Sequence, residues 1–479
     1  MKKIFTLLLA ISLCVSAYST HLMGGQISAT YLSSDSNGIH YTLNLDVYRD
    51  TIGIPMNLNQ TVDVYELDLS TGSYNFLFSD SIDFGVSGSM PTMSLVYGVE
   101  IYHFSDSIVF PTDGYYMIKW DDCCRNGAII NMVSPLTEDM TFITYVNVNS
   151  SDPNSSPTYL APPVIYLPAN NVWQYNPLPF DPDGDSLVWN LSVPLSGTGL
   201  VTGYESLDDT VLYSNTTGIF SMDSVTGQIT WSPKMVGNFV VSFAIEEYRN
   251  GVLVGAMSRD MQFVVIPDTT NAFPMISNIN NVPTNSMGYP YVKINPGQNY
   301  QLHLLASDPD LNDVVSLQAF GESFSQTTTL SDFLVTPTGN GNEINGKFSW
   351  IPDISDVRES PYIVVFRTSD GQFYFDETIQ FEVTLSTELA NVNGCHISEI
   401  YPNPADNRLY TPVSLDKSET ISIEVYNVLG VKQQDEILDL SVGSHLIVKE
   451  LDLNSGQYLI VFKNSKGLIL STQQLVVVK

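Results

Sequence analysis

The chain has 479 residues and is strongly acidic, with 19 Lys and Arg against 51 Asp and Glu and a formal net charge of −32. No Lys/Arg face of the size needed to neutralise a phosphate backbone can be assembled from so few cations, which argues against nucleic acid as a partner. At roughly 100–150 residues per domain the length predicts three or four domains, each able to bury its own core.

Only 15% of the residues are charged, whereas Tyr, Phe, Thr, Val and Ile abound between clusters of Gly, Pro and Asn. This composition predicts an all-β protein. Beyond the N-terminus no run reaches the roughly eighteen uninterrupted apolar residues of a membrane-spanning helix, so no transmembrane helix is expected after signal cleavage.

Met1-Lys2-Lys3, the apolar run Ile4 to Val15 and the small residues Val15-Ser16-Ala17 predict a signal peptide over residues 1–19. A lipoprotein signal at Cys14 is disfavoured, because Leu13 stands where such signals need a small residue. Residues 20–160 follow as an N-terminal β domain. Tyr41 to Asp50 alternates apolar and polar positions for ten residues, as a strand with one buried face does.

His21, Gly24, Gly25 and Ile27, followed by Val47-Tyr48-Arg49-Asp50 and by Trp120-Asp121-Asp122-Cys123-Cys124-Arg125-Asn126, resemble the N-terminal region of large Bacteroidetes surface proteins that carry gliding-motility-associated or sorting C-terminal domains. The resemblance implies a structural or adhesive role at the cell surface and brings no chemistry with it. Asn149 to Pro163, rich in Ser, Asn and Pro, reads as a linker.

Two further segments, 161–268 and 269–385, look like divergent repeats. Asp181-Pro182-Asp183-Gly184-Asp185 returns as Asp308-Pro309-Asp310-Leu311-Asn312-Asp313, and Gly227 to Pro233 returns as Gly346 to Pro352. Each repeat then offers a strand and a hairpin turn, at Asn250-Gly251 and at Asp370-Gly371, where positive φ is tolerated. Strands at this spacing predict immunoglobulin- or cadherin-like sandwiches. The order of these motifs resembles dystroglycan-type cadherin-like domains, and that resemblance implies calcium at the Asp-rich loops.

Asp181, Asp183 and Asp185 in one repeat, and Asp308, Asp310 and Asp313 in the other, are the candidate metal ligands. Hard carboxylate oxygens suit calcium, and closely spaced carboxylates repel one another unless a cation or solvent separates them. No EF-hand is present, since no Glu stands at the twelfth loop position. The alternative is an Asp-rich solvated turn.

Trp231 and Trp350 read as core residues rather than carbohydrate platforms. Arg49 and Arg249 read as partners of internal carboxylates. Cys123, Cys124 and Cys395 remain after signal cleavage, an odd number, and a bridge from the adjacent pair to Cys395 stays open. Glu246 and Glu247, consecutive on a strand, point to opposite faces and do not make a glycosidase pair. No metalloprotease, nucleophile-elbow, phosphate-loop or nicotinamide motif occurs, so a non-enzymatic protein is expected. Asp-Ser/Thr-aliphatic triplets such as Asp80-Ser81-Ile82 and Asp106-Ser107-Ile108 resemble the O-glycosylation sequons of Bacteroidetes exported proteins.

Residues 386–394 read as a second linker, and 395–479 as a small antiparallel sandwich. Tyr401-Pro402-Asn403-Pro404, then Tyr426 to Gly430, then Gly456 and Tyr458 resemble the C-terminal sorting domain of the type IX secretion pathway. The resemblance implies recognition by the type IX machinery, cleavage near residues 386–396 and attachment of the cargo to surface lipopolysaccharide. A secreted or surface-held multi-module protein with an adhesive or structural role is therefore expected, with glycans or other surface proteins as partners. A carbohydrate-binding protein and a hydrolase with a site between modules are the alternatives.

Overall fold

The computed structural model describes residues 21–85, 92–94, 98–197, 199–209, 219–267, 270–358, 360–384, 395–397 and 400–479. The expected signal peptide and the expected linker at 386–394 lie outside the described residues. The chain forms two compact units, 1–272 and 273–479.

The first unit is built on a twelve-stranded sheet. Its strands are β1 (Leu22–Asp35), β2 (Gly38–Asp50), β3 (Asn59–Asp68), β4 (Ser73–Asp83), β5 (Thr92–Ser94), β6 (Val99–Phe110), β7 (Gly114–Asp122), β8 (Met140–Val148), β9 (Val164–Pro168), β10 (Ser186–Ser192), β11 (Gly237–Arg249) and β12 (Val252–Ile266). Along β2 every second side chain is buried, including Tyr41, Leu43, Leu45 and Val47, as its alternation predicts. These residues pack with Phe104, Phe110, Tyr116, Trp120 and Phe142 into one core.

The long strand β12 is shared. One edge pairs with β11 along most of its length, while the other meets β8 at residues 255–257, β1 at Arg259 and Asp260, and β9 at residues 262–266. Backbone hydrogen bonding therefore runs across residue 160, where the sequence places a boundary between 20–160 and 161–268. That boundary marks a change of sequence character; the sheet is continuous through it.

The segment read as the first linker also differs. Asn154, Ser155 and Ser156 are buried. The Ser156 N–H donates to Ala29 O at 2.8 Å, and the Ser156 and Ser155 hydroxyls accept from the Ala29 and Tyr31 N–H groups at 3.3 and 3.2 Å. Short polar side chains here satisfy a strand edge that would otherwise be left open. Composition does not distinguish that use from a solvated linker.

The second unit contains two sandwiches. In the first, strands β13 (Tyr291–Ile294), β14 (Tyr300–Ser307), β15 (Ser316–Gly321), β16 (Asp332–Pro337), β17 (Glu343–Trp350), β18 (Tyr362–Ser369) and β19 (Tyr374–Val383) form two four-stranded sheets, one completed by Met275–Ile276. Phe348, Trp350, Phe366 and Phe381 fill the space between them. In the second, β20 (Cys395–Ile397), β21 (Arg408–Leu415) and β24 (Gly443–Glu450) face β22 (Glu419–Asn427), β23 (Lys432–Leu440), β25 (Gly456–Asn464) and β26 (Ile469–Val477) across a core of Ile421, Ile423, Ile460 and Phe462. The all-β, multi-sandwich architecture is as the sequence predicts.

Both hairpin turns occur, with different geometry. Asn250 and Gly251 have φ of 52° and 76° and join Arg249 to Val252 in a two-residue turn. At Asp370-Gly371 the ladder resumes only at Ser369 and Tyr374, because Asp370 Oδ1 accepts the Gln372 and Phe373 N–H groups, each at 2.7 Å, and closes a longer loop.

Candidate metal centre and sorting tail

The loop after Phe180 winds around one carboxylate. Asp181 is fully buried, and its Oδ1 accepts the N–H groups of Asp183 and Asp185, each at 3.0 Å. Asp185, also buried, receives Arg249 Nε and Nη2, each at 2.8 Å, a bidentate pairing that fixes the guanidinium plane. The same Arg249 reaches Asp152 at 2.8 Å, Pro153 O at 3.0 Å and Asn154 Oδ1 at 3.1 Å. It therefore pins residues 152–154, which lead into the buried Ser155 and Ser156, to the loop.

Asp183 turns aside. Its Oδ2 accepts the Ser155 N–H, and it stands 3.4 Å from Arg249 Nη2. Glu247 of β11 takes the place that the sequence gives to Asp183. Ligand-capable oxygens of Asp181, Asp185 and Glu247, all three buried, lie within 4.8 Å of one another. Asn154 Nδ2 donates to Glu247 Oε2 at 2.7 Å, while Glu247 Oε1 is buried with no hydrogen-bond partner.

Asp185 is paired with the Arg249 guanidinium, and its two buried neighbours Asp181 and Glu247 are held toward their protonated forms. Burial, reinforced by the charges of Asp185 and Asp183 and opposed by the Asp185 N–H, raises Asp181 to about 7. Burial pushes Glu247 well above the usual carboxylate range, against the pull of the Asn154 amide. Asp183 rises too, chiefly through burial. A buried group of this composition is stable only if protons or a cation neutralise the excess negative charge. An all-oxygen donor set with an unpartnered buried carboxylate oxygen fits a hard cation such as calcium, the remaining positions being left to backbone carbonyls or water.

The second acidic loop keeps its expected members. Asp308, Asp310 and Asp313 bring oxygens within 4.8 Å of one another. Asp308 is buried, its Oδ1 accepts the Asp310 N–H at 2.7 Å, and its Oδ2 is enclosed without a hydrogen-bond partner. Burial raises its pKa, with Asp370, Asp310 and Asp313 acting in the same direction. Asn342 clamps the loop through its amide, which donates to Asp308 O at 2.9 Å.

Other singled-out residues have structural work. Trp231 and Trp350 are buried, and the Trp350 indole N–H donates to Thr329 O at 2.7 Å. Arg49 contacts Glu100. Gly24 and Gly25 let β1 pass between β2 and β12: a Cβ at Gly24 would meet Asp260 O at 2.6 Å, and one at Gly25 would meet Asp46 O at 2.1 Å. Arg125, fully buried, pairs with Asp260 and donates to Asp139 O and Leu195 O at 3.0 and 2.8 Å. The motifs of the N-terminal segment thus converge on one internal junction. Cys123 is bonded to Cys124, and Cys395 is a buried free thiol in the core of the last sandwich.

Sequence reasoning missed Glu247 as a candidate ligand. The available signal was a pair of charges, Glu246-Glu247, directly continuing the apolar run Phe239 to Ile245, with Gly255 placed opposite Glu247 across the hairpin.

In the tail, Tyr401 and Tyr410 exchange backbone hydrogen bonds of 2.9 and 2.7 Å, and their rings stack at 5.7 Å. Asn403 grips β26, donating from Nδ2 to Gln474 O at 2.8 Å and accepting the Val476 N–H at 2.9 Å. The Ala405 N–H extends the clasp to Val476 O at 2.8 Å. Gly430 supplies a φ of 71° to the loop that Asn427 Oδ1 ties together by accepting the Leu429 and Val431 N–H groups. Gly456 opens β25, and Tyr458 OH donates to Asn454 O at 3.0 Å. Among the described residues no helix is long and apolar enough to cross a membrane.

Residues 399–478 match the family described as "Secretion system C-terminal sorting domain". No curated protein matches the chain. Among solved structures, the titin domains Z1Z2 in complex with telethonin cover 48% of this chain and 98% of their own at 9% identity and a TM-score of 0.16. The ICAM-5 D1–D4 ectodomain fragment covers 94% of this chain and 100% of its own at 9% identity and a TM-score of 0.17. An endo-fucoidan hydrolase of glycoside hydrolase family 107 covers 75% of this chain and 44% of its own at 13% identity and a TM-score of 0.16. At such scores the fold rests on the strand pairing described above, and the tail carries the functional information. Residues 399–478 are a type IX secretion C-terminal sorting domain, and the chain that bears them is an exported protein, secreted or held at the cell surface.

Proposed function

We propose that the chain is a non-enzymatic surface protein, adhesive or structural, whose sheets form the cargo and whose tail is read by the type IX machinery. The sorting-domain match at the end of a multi-sandwich chain is the observation that carries this reading. Burial of Trp231 and Trp350 speaks against those two as carbohydrate platforms. The convergent carboxylates at Asp181, Asp185 and Glu247 are sealed from substrate, which speaks against hydrolysis there.

In this reading calcium occupies the two acidic loops and stiffens the modules, and surface lipopolysaccharide, glycans or other surface proteins are the partners. Deleting the chain from Cys395 onward and fractionating the cells tests the export part. The truncated chain should remain in the periplasm, and its appearance at the surface or in the medium would refute the reading. Calorimetric titration of the full chain with calcium tests the metal part. Binding heat and a raised melting temperature are expected; the absence of both rejects calcium.

A further inference from the structure

A cleft of about 560 Å³ opens in the second unit, between its two sandwiches. Its floor is one row of the last sheet: Tyr426 of β22, Leu459 of β25 and Gln474 of β26 are neighbours in register. The loop Asn427 to Gly430 closes one end. The roof is the short 3-10 turn Ile354–Asp356, which contributes Ile354 and Ser355, together with Val357. Both sandwiches are therefore needed to form it.

The chemistry of the lining is selective. Among the described residues, none of those that line the cleft carries a formal charge, in a chain that holds 51 acidic side chains. What they offer is the rings of two tyrosines, whose hydroxyls already donate to Glu424 and to Asn454 O, the amides of Gln457 and Gln474, the hydroxyls of Ser355 and Thr472, and apolar surface from Leu459 and Val357. Gln457 and Gln474 are exposed, so their amides are accessible to a ligand. Aromatic rings beside amides and hydroxyls suit a ligand with apolar C–H faces and many neutral hydroxyls, and a volume of this order accommodates a few sugar rings. An uncharged lining gives an acidic ligand no counter-ion.

We propose that this cleft binds a neutral glycan, and that it exists only while the chain retains its tail. The site goes beyond the export reading, since it assigns a ligand to the junction of the last cargo sandwich and the sorting domain. An extended peptide laid along the edge strand β26 is the competing occupant.

The test uses the purified full chain, with maltoheptaose, cellohexaose and mannohexaose as neutral probes and an alginate hexamer as the acidic control, read by calorimetry. Binding of at least one neutral probe and none of alginate is expected. Ser355→Trp, which fills the cleft from the roof, should weaken binding about tenfold or more without lowering the melting temperature. Gln474→Ala, at an exposed position on the floor, should weaken it in the same direction. Silence with all three neutral probes at millimolar concentration overturns the proposal, as does binding that neither variant changes. Capture of an unstructured peptide in their place would assign the cleft to the competing occupant. Because binding is read in vitro, its failure leaves the export reading untouched, and failure of export leaves this result standing.

Discussion

Gly255 lies directly across the β11–β12 ladder from Glu247, and a Cβ at that position would come within 2.7 Å of both carboxylate oxygens. The absent side chain is what gives the buried carboxylate its room. Gly255→Ala should therefore displace Glu247 and destabilise the first unit by about 1–3 kcal/mol, the usual scale of overpacking. Chemical denaturation of the variant beside the parent chain checks this, and an unchanged midpoint would show that the carboxylate has room elsewhere.

The acidic group makes stability depend on pH in a stated direction. Asp181 titrates at about 7 in the folded chain against an ordinary 3.8, so between about pH 4 and pH 7 the native state holds a proton that the unfolded state has lost. Glu247 is shifted the same way. Their contribution is thus fully present at low pH and is lost as pH rises through the folded values. With chelator present, the melting temperature of the first unit should fall across that window. Calcium should restore it above about pH 7 and do little near pH 4, where protons already neutralise the carboxylates.

Glu247→Gln separates the two neutralisers. Removing one buried charge should flatten the pH profile in chelator and reduce the calcium-induced rise in melting temperature. A calcium effect of undiminished size would remove Glu247 from the donor set. Asp183→Asn is the matched control and should leave the calcium effect largely intact, because Asp183 is engaged with Ser155.

In the second unit, Trp350→Ala should cost about 3–5 kcal/mol by emptying the centre of the core and freeing Thr329 O. Trp350→Phe should cost less. Equal losses for the two would mean that the hydrogen bond, not the volume, dominates.

The sorting tail offers a separate test. Asn403→Ala removes both side-chain bonds to β26 and should lower the stability of the last sandwich by about 1–3 kcal/mol. If export needs the folded tail, surface delivery should fall with it. Full delivery of a measurably destabilised variant would show that the machinery reads local sequence instead.

Much of this was legible in the residues. The alternation of β2, the burial of the two tryptophans and the tail motifs each follow from local periodicity or from spacing within one segment. The acidic loops were legible as loops, since Asp, Pro and Gly cluster there. Glu247 was not, because its role depends on which residue faces it across a hairpin and on a loop more than fifty residues earlier in the chain. The buried Ser155 and Ser156 were hidden for a related reason: their hydroxyls serve β1, a strand over a hundred residues away. Local sequence reports which backbone groups a residue can satisfy, and only the tertiary fold selects the partner.

The strand shared at β12 has a kinetic consequence. Gly25 and Asp260, paired in the finished sheet, are more than two hundred residues apart in the chain. The first strand emerges with its glycine pair and its apolar face long before its neighbour exists, and loop closure of that span is slow. Until β12 arrives, the Gly25–Gln26 stretch of β1 lacks its second neighbour and stays open to wrong partners. The first unit can therefore complete its sheet only after residues up to about 266 have been delivered to the compartment where it folds, which ties its maturation to passage of the whole segment.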